Sequence, residues 1–316
     1  MSLPTFDDVL AASQRIKPHV HRTPILNSSL LDSWLGHRVY FKVEALQRIG
    51  AFKLRGAINV LSWLKERNEL PQQIVANSSG NHAQAVAYAA AQFDIPATIY
   101  STKTVSRVKA AATRFYGAEL ALFDTRVEAD TAVQEAAKQP GTLWIPPFNH
   151  AQIIAGQGTA ALEALQDLKQ VDAVFAPVGG GGLMSGTLLA CRALCPDAQV
   201  IGAEPLAAND AANSLRAGKI VALPGPANTL ADGAATPSVG DLTFPFLQQL
   251  DDFYEVDEAQ IAYWTQWLQH LLKIHVEPTS AMSMAAVASW LQEQDKPRTA
   301  LVILSGGNID QSRMQE

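Results

Sequence analysis

The stretch DAVFAPVGGGGLMSGTLLA, Asp172 to Ala190, decides how the rest of the chain is read. After Asp172, six residues form an apolar run without polar alternation, which is how a strand buried on both faces reads. Four glycines follow, and then a Leu- and Ala-rich helical segment. The same alternation of short apolar strand and longer helix extends outward in both directions. Candidate strands are RVYFKV near Tyr40, QIVA near Val75, ATIY near Ile99, AELALF near Leu120, LWI near Trp144, QVIGAE near Ile201 and ALVIL near Ile303. Helices between buried strands supply crossovers, so an α/β protein with a mainly parallel sheet is expected. Between Val75 and Ile145 the units are short and regular and lack a glycine-rich loop. This predicts a smaller domain over residues 73–148, inserted into a larger one formed by 1–72 and 149–316.

Composition narrows the function. Among 316 residues, 48% are hydrophobic and 17% charged, and the net charge is −6, so the chain is neither a disordered scaffold nor a basic nucleic-acid binder. No window approaches the roughly 18 apolar residues of a membrane span. The N-terminal MSLPTFDDVLAASQRI is acidic where a signal peptide is basic, which predicts a cytoplasmic protein with no membrane partner. Cys191 and Cys195, four apart on a predicted helix, read as buried small apolar side chains.

Four segments carry candidate chemistry. The segment AFKLRGAINVLSWLKERN after Gly50 reads as a helix in which Lys53 shares the apolar stripe with Ala57, Val60, Leu61 and Leu64, while Arg55, Asn59, Ser62 and Glu66 face the other way. A lone lysine usually snorkels outward. An inward one is desolvated, its pKa falls, and its amine becomes a nucleophile toward carbonyls. Asn77-Ser78-Ser79-Gly80-Asn81-His82 joins a strand to an Ala-rich helix and offers hydroxyls and backbone N–H groups to a carboxylate, or simply caps the helix. Gly179, Gly180, Gly181 and Gly182 let backbone N–H groups close on a phosphate at a helix start. Glu204 stands where a dinucleotide fold keeps its ribose-binding acid, but GxGxxG is absent, so one phosphate is expected rather than a pyrophosphate. In Leu304-Ser305-Gly306-Gly307-Asn308, at a strand's C-terminal end, Ser305 can hydrogen-bond a ring heteroatom.

An inward amine, a carboxylate cradle, a monophosphate loop and a hydroxyl for a ring nitrogen together describe a pyridoxal phosphate site handling an amino acid. From His21-Arg22-Thr23-Pro24 to Asp310 the chain also resembles the threonine dehydratase and serine racemase family of fold-type II pyridoxal phosphate enzymes. The resemblance is densest at Phe52-Lys53-Leu54-Arg55-Gly56-Ala57, SSGNHAQA from Ser78, AGQGT from Ala155, the tetraglycine, Asp232-Gly233 and LSGGN. It implies two open, mainly parallel twisted sheets with flanking helices and a homodimer. It also implies that Lys53 is the Schiff-base lysine, Phe52 packs on the ring, Asn81 meets the ring hydroxyl, Gly179–Gly182 hold the phosphate and Ser305 meets the pyridine nitrogen. Ser78, Ser79, Asn81 and His82 would receive the substrate carboxylate, with Phe148 bordering substrate or ring. Glu204, the Ala208 carbonyl and Asp210 match the family's site for a divalent cation, Mg2+ or Ca2+ by their hard oxygens. Two departures stand out: Ala51 replaces a hydroxyl residue common before the Phe-Lys pair, and the segment Ser101–Ser106 lacks the family's proline-bearing pattern.

The expected activity is an L-threonine/L-serine ammonia-lyase that acts on small β-hydroxy amino acids by α,β-elimination. A serine racemase, with Ser79 as the acid opposite Lys53, and a β-hydroxyaspartate dehydratase are the alternative enzymes. A non-catalytic amino-acid sensor is the alternative outside enzymology.

Overall fold

The computed structural model describes residues 3–78 and 80–309. Among them, ten strands form two sheets. The first contains β1 (Ile25–Asn27), β2 (Arg38–Val43), β7 (Ala173–Pro177), β8 (Gln199–Pro205), β9 (Asp252–Val256) and β10 (Thr299–Leu304), in the order β1-β2-β10-β7-β8-β9. The second contains β3 (Gln73–Asn77), β4 (Ala97–Thr102), β5 (Glu119–Phe123) and β6 (Thr142–Trp144), in the order β5-β4-β3-β6. All neighbours pair in parallel except β1 with β2. The expected α/β class with two mainly parallel sheets is therefore observed.

The strand that opened the reading, β7, is buried at every residue and lies between β10 and β8, so its unbroken apolar run has protein on both faces. The two strands that sequence missed are the edges of the first sheet. β1 is only three residues long, and β9 (DFYEV) mixes polar with apolar residues because it is only partly covered.

The helix carrying Lys53, Lys53–Glu66, packs between two others, Asn81–Ala91 and Ala151–Leu168. Arg55, Asn59 and Ser62, expected on its outer face, are therefore buried. The AGQGT stretch explains the fit. A side chain at Gly156 would come within 2.6 Å of the Arg55 carbonyl, and one at Gly186, on the helix Gly182–Leu194, would come within 2.4 Å of the Gly158 nitrogen. Only glycine lets these backbones touch. No helix among the described residues is long and apolar enough to cross a membrane.

Candidate active site

In parallel sheets, ligands collect beyond the C-terminal strand ends. Here the ends of β3, β6, β7 and β10 face one cavity of 1370 Å³, whose wall includes Phe52, Lys53, Ser78, Asn81, His82, Phe148, Gly179, Gly180, Gly181, Gly182 and Ser305. Residues from four distant segments thus meet as the sequence reading requires. Ser79 lies outside the described residues.

Lys53 begins its helix, and its Nζ donates to the Pro147 carbonyl at 2.6 Å and lies 5.2 Å from the centre of the Phe52 ring. Burial lowers its pKa from 10.5 to about 8, while the carboxyl of Glu277 works in the opposite direction. The neutral amine is the nucleophile. Capture of pyridoxal phosphate by cofactor-free protein should therefore accelerate as pH rises and level off above about 8, rather than continue upward to the ordinary lysine value of 10.5. Stopped-flow absorbance checks this, and a rate still climbing far above the expected plateau would show an unperturbed lysine.

The glycine loop is a tight cradle. Gly181 has φ of +91°, a side chain at Gly180 would meet the Phe148 ring at 2.2 Å, and one at Gly179 would meet the Ala234 Cα at 3.0 Å. The loop ends at the N-terminus of the 13-residue helix Gly182–Leu194, where backbone N–H groups and the helix dipole favour an anion. Its carbonyls are tied back: Thr243 Oγ1 donates to the Gly180 carbonyl at 2.7 Å and Ser185 Oγ to that of Gly181 at 2.8 Å.

Around the ring position, Ser305 Oγ lies 2.8 Å from Ser280 Oγ, which accepts from the Gly306 N–H at 2.7 Å and bonds the Gly306 carbonyl at 2.8 Å. Ser280 has one proton: given to the Gly306 carbonyl, it leaves Ser305 as the donor to Ser280, and turned to Ser305 instead, it frees the Ser305 proton for a ring nitrogen. Asn81 Nδ2 is 3.0 Å from both oxygens of Glu277, and Asn308 Nδ2 donates to Asn81 Oδ1 at 2.9 Å. Ser78 Oγ accepts from the Gly80 N–H at 3.1 Å and shapes the cradle turn. His82 is buried, bonds the Ile145 carbonyl through Nε2 at 2.9 Å, and is pushed down to about 3 by burial and then by Lys53, so it is neutral.

An amine, amides for a phosphate and a buried hydroxyl suit pyridoxal phosphate in chemistry and placement. Sequence reasoning missed Glu277, Lys109 and Arg126, which also line the cavity, and Ser280, which bonds Ser305. Asn308 was quoted only within a motif. Glu277 immediately precedes Pro278 at the start of the helix Pro278–Gln292, and its sequence context reads as an ordinary helix entrance.

The expected cation ligands stand apart from this cavity. Glu204 accepts from the Ala211 and Ala212 N–H groups at 3.1 and 2.7 Å, so its carboxyl caps the helix Asp210–Ala217. Both Asp210 oxygens are buried without a partner among the described residues, and Ala208 is buried beside them in the chain. Burial raises Glu204 to about 8, with Asp210 adding to the rise, and burial raises Asp210 to about 7. Among the described residues no cluster of three or more His, Cys, Asp or Glu side chains could hold a metal.

The fold and this cavity together fit an enzyme that binds pyridoxal phosphate. The chain belongs to the pyridoxal-phosphate dependent enzyme family, whose sequence model matches residues 16–306. It is 42% identical over 315 residues to the L-threo-3-hydroxyaspartate ammonia-lyase of Saccharomyces cerevisiae, covering 99% of this chain and 96% of that one. It is 40% identical to the serine racemase of Schizosaccharomyces pombe, covering 98% and 96%. Among solved structures, maize serine racemase superposes with a TM-score of 0.93 at 36% identity, covering 99% of this chain and 96% of that one. A threonine deaminase superposes with a TM-score of 0.92 at 42% identity, covering 97% and 99%. The chain is thus a pyridoxal phosphate enzyme of the ammonia-lyase and racemase group.

Proposed function

We propose that this enzyme is an ammonia-lyase of β-hydroxy amino acids, converting L-threonine or L-serine to the corresponding oxo acid and ammonia. The observation that carries the reading is the meeting, in one cavity, of Lys53, the Gly179–Gly182 loop, and Ser78, Gly80 and Asn81, which suit a substrate carboxylate. The bound cofactor supplies an electron sink for the charge left when Cα loses its proton. The chain's own residues do the rest. Phe52 bounds the ring, Gly179–Gly182 hold the phosphate, Asn81 meets the ring hydroxyl and Ser305 offers its hydroxyl to the ring nitrogen. Ser78, Asn81 and His82 orient the substrate carboxylate. Lys53, with its lowered pKa, is suited to take the Cα proton as general base, and the β-hydroxyl would leave as water with a proton from the phosphate held by Gly179–Gly182. A hydroxyl rather than a carboxylate at the ring nitrogen leaves the ring less electron-withdrawing, which favours loss of the β-hydroxyl over long-lived carbanion chemistry.

L-threo-3-hydroxyaspartate is a second reading, favoured by Arg126. This guanidinium lines the same cavity, where its Nε donates to Asp130 at 2.7 Å, and it offers further N–H groups to a second substrate carboxylate. Oxo-acid release from equal concentrations of L-threonine, L-serine and L-threo-3-hydroxyaspartate distinguishes the two. Faster turnover of threonine and serine is expected, and a roughly tenfold preference for the dicarboxylate, about 1.4 kcal/mol of discrimination, would move the assignment to hydroxyaspartate. Racemisation rests on Ser79 as acid on the face opposite Lys53, so chiral chromatography should find less D-serine than pyruvate. An excess of D-serine would make the enzyme a racemase.

The divalent cation is a further part of the proposal, supported by the two oxygens of buried Asp210, unpartnered among the described residues, near Glu204. A ligand that binds only the native state adds about 2.7 kcal/mol of stability at about 100 times its Kd. Chelation should therefore lower the melting temperature, and Mg2+ or Ca2+ should restore it. An unchanged melting temperature would remove the cation from the account.

A further inference from the structure

Glu277 is a buried carboxyl in the wall of the Lys53 cavity, with no cation bonded to it among the described residues. Its hydrogen bonds run in one direction. Asn308 Nδ2 donates to the Ile49 carbonyl at 2.8 Å and to Asn81 Oδ1 at 2.9 Å, and Asn81 Nδ2 then donates to both Glu277 oxygens at 3.0 Å. The Asn81 amide therefore has a fixed sense, oxygen to Asn308 and nitrogen to Glu277. The carboxyl is also held sterically, since a side chain at Gly306 would meet Glu277 Oε1 at 2.8 Å. Its backbone N–H is separately satisfied by the Gly306 carbonyl at 3.1 Å, so the side chain is not needed to join the helix Pro278–Gln292 to β10.

A buried carboxylate without a bonded cation costs several kcal/mol unless charge or dipoles elsewhere compensate it. The charged groups acting on it are Asp232 and Lys109, and Glu277 in turn acts on Lys53 in the same cavity. Lys109 Nζ bonds Asp232 at 2.5 Å and Arg126 Nε bonds Asp130 at 2.7 Å, which leaves Lys53, among the described residues, as the cation of the cavity not bonded to a carboxylate.

We propose that Glu277 is a positioning residue of the cofactor site, acting as the counter-charge for the Lys53 nitrogen and as the acceptor that fixes the donor end of Asn81. This deepens the reading of Lys53 as the cofactor's lysine and rests on it. The Lys53 perturbation has the sign expected of a counter-charge, whereas that of Glu277 is set by burial. Glu277 raises the Lys53 pKa against burial, and burial followed by Asp232 raises Glu277 to about 7. When Glu277 is ionised, it favours the protonated form of the lysine nitrogen joined to the cofactor.

The test is a pH titration of the visible absorbance of the wild-type holoenzyme and of Glu277→Gln, Glu277→Thr and Glu277→Asp. The neutral variants lose the counter-charge, so protonation of the linkage should move about 1 unit lower in pH, the low end of the shift that an opposite charge nearby produces. Glu277→Asp keeps the charge and should shift less. A purely structural role would lower the melting temperature and leave the titration midpoint in place. A folded neutral variant with the wild-type midpoint, or an aspartate variant displaced by as much as the neutral ones, overturns the proposal. A wild-type protein that forms no coloured linkage at Lys53 is a different result, since it refutes the underlying cofactor assignment.

Discussion

Lys53→Ala is expected to reduce oxo-acid formation by about 10³-fold or more, within or above the range general acid–base groups contribute. Under the proposed function the amine has two tasks, holding the cofactor and taking the Cα proton. Burial to a pKa near 8 serves both. The cradle does not depend on Lys53, because Gly179–Gly182 are shaped by Phe148, Ala234 and Thr243. The variant should therefore still bind pyridoxal phosphate, non-covalently and with the spectrum of the free aldehyde. Steady-state kinetics beside absorption spectra check both statements. Activity within about tenfold of wild type, a barrier change of only about 1.4 kcal/mol, would show that another group moves the proton.

Arg55→Met is expected to cost about 3–5 kcal/mol of stability, the effect of breaking a buried ion pair from one side. Arg55 is fully buried and forked. Its Nε and Nη2 donate to Glu44 at 2.8 and 2.9 Å, and Nη1 and Nη2 donate to Glu163 at 2.8 and 2.9 Å. Lys42 completes the cluster, donating to Glu163 and to the Thr23 carbonyl, both at 2.6 Å. Two cations thus balance two carboxylates in the core. Burial works to raise Glu163, yet Arg55 and Lys42 hold it below its ordinary value. Methionine fills similar space but leaves both carboxylates without their fork. Because Arg55 lies two residues beyond Lys53, the loss should also displace the catalytic amine. Chemical denaturation measures the stability, and Arg55→Lys should recover only part of it, since a point charge cannot make four directed bonds. A loss under about 1 kcal/mol, the worth of an exposed pair, would mean that the cluster relaxes or admits water.

What could be read from sequence follows what is local. β7 and the tetraglycine after it are a contiguous pattern, so strand, turn and helix start could all be read together. Lys53 was legible because its neighbours at helical spacing are apolar. The same periodicity misjudged Arg55, Asn59 and Ser62. Helical spacing tells which residues share a face, and it is silent about a second helix covering the opposite face, as Ala151–Leu168 does here. Glu277 was illegible for a related reason. Its side-chain partner Asn81 is 196 residues away, and only the fold brings them together. The edge strands β1 and β9 escaped because half-exposed strands do not show the continuous apolar run that marked the others. Glu204 and Asp210 were read as cation ligands, and the structure adds a helix-capping task for Glu204 that spacing alone did not suggest.

Everything proposed for the chemistry depends on the lysine of this cavity carrying the cofactor. Borohydride reduction of the holoenzyme, followed by proteolysis and mass spectrometry, locates that linkage. One reduced pyridoxyl adduct is expected, on the peptide containing Lys53. An adduct on a different lysine, or a yellow protein that yields no adduct, would refute the assignment.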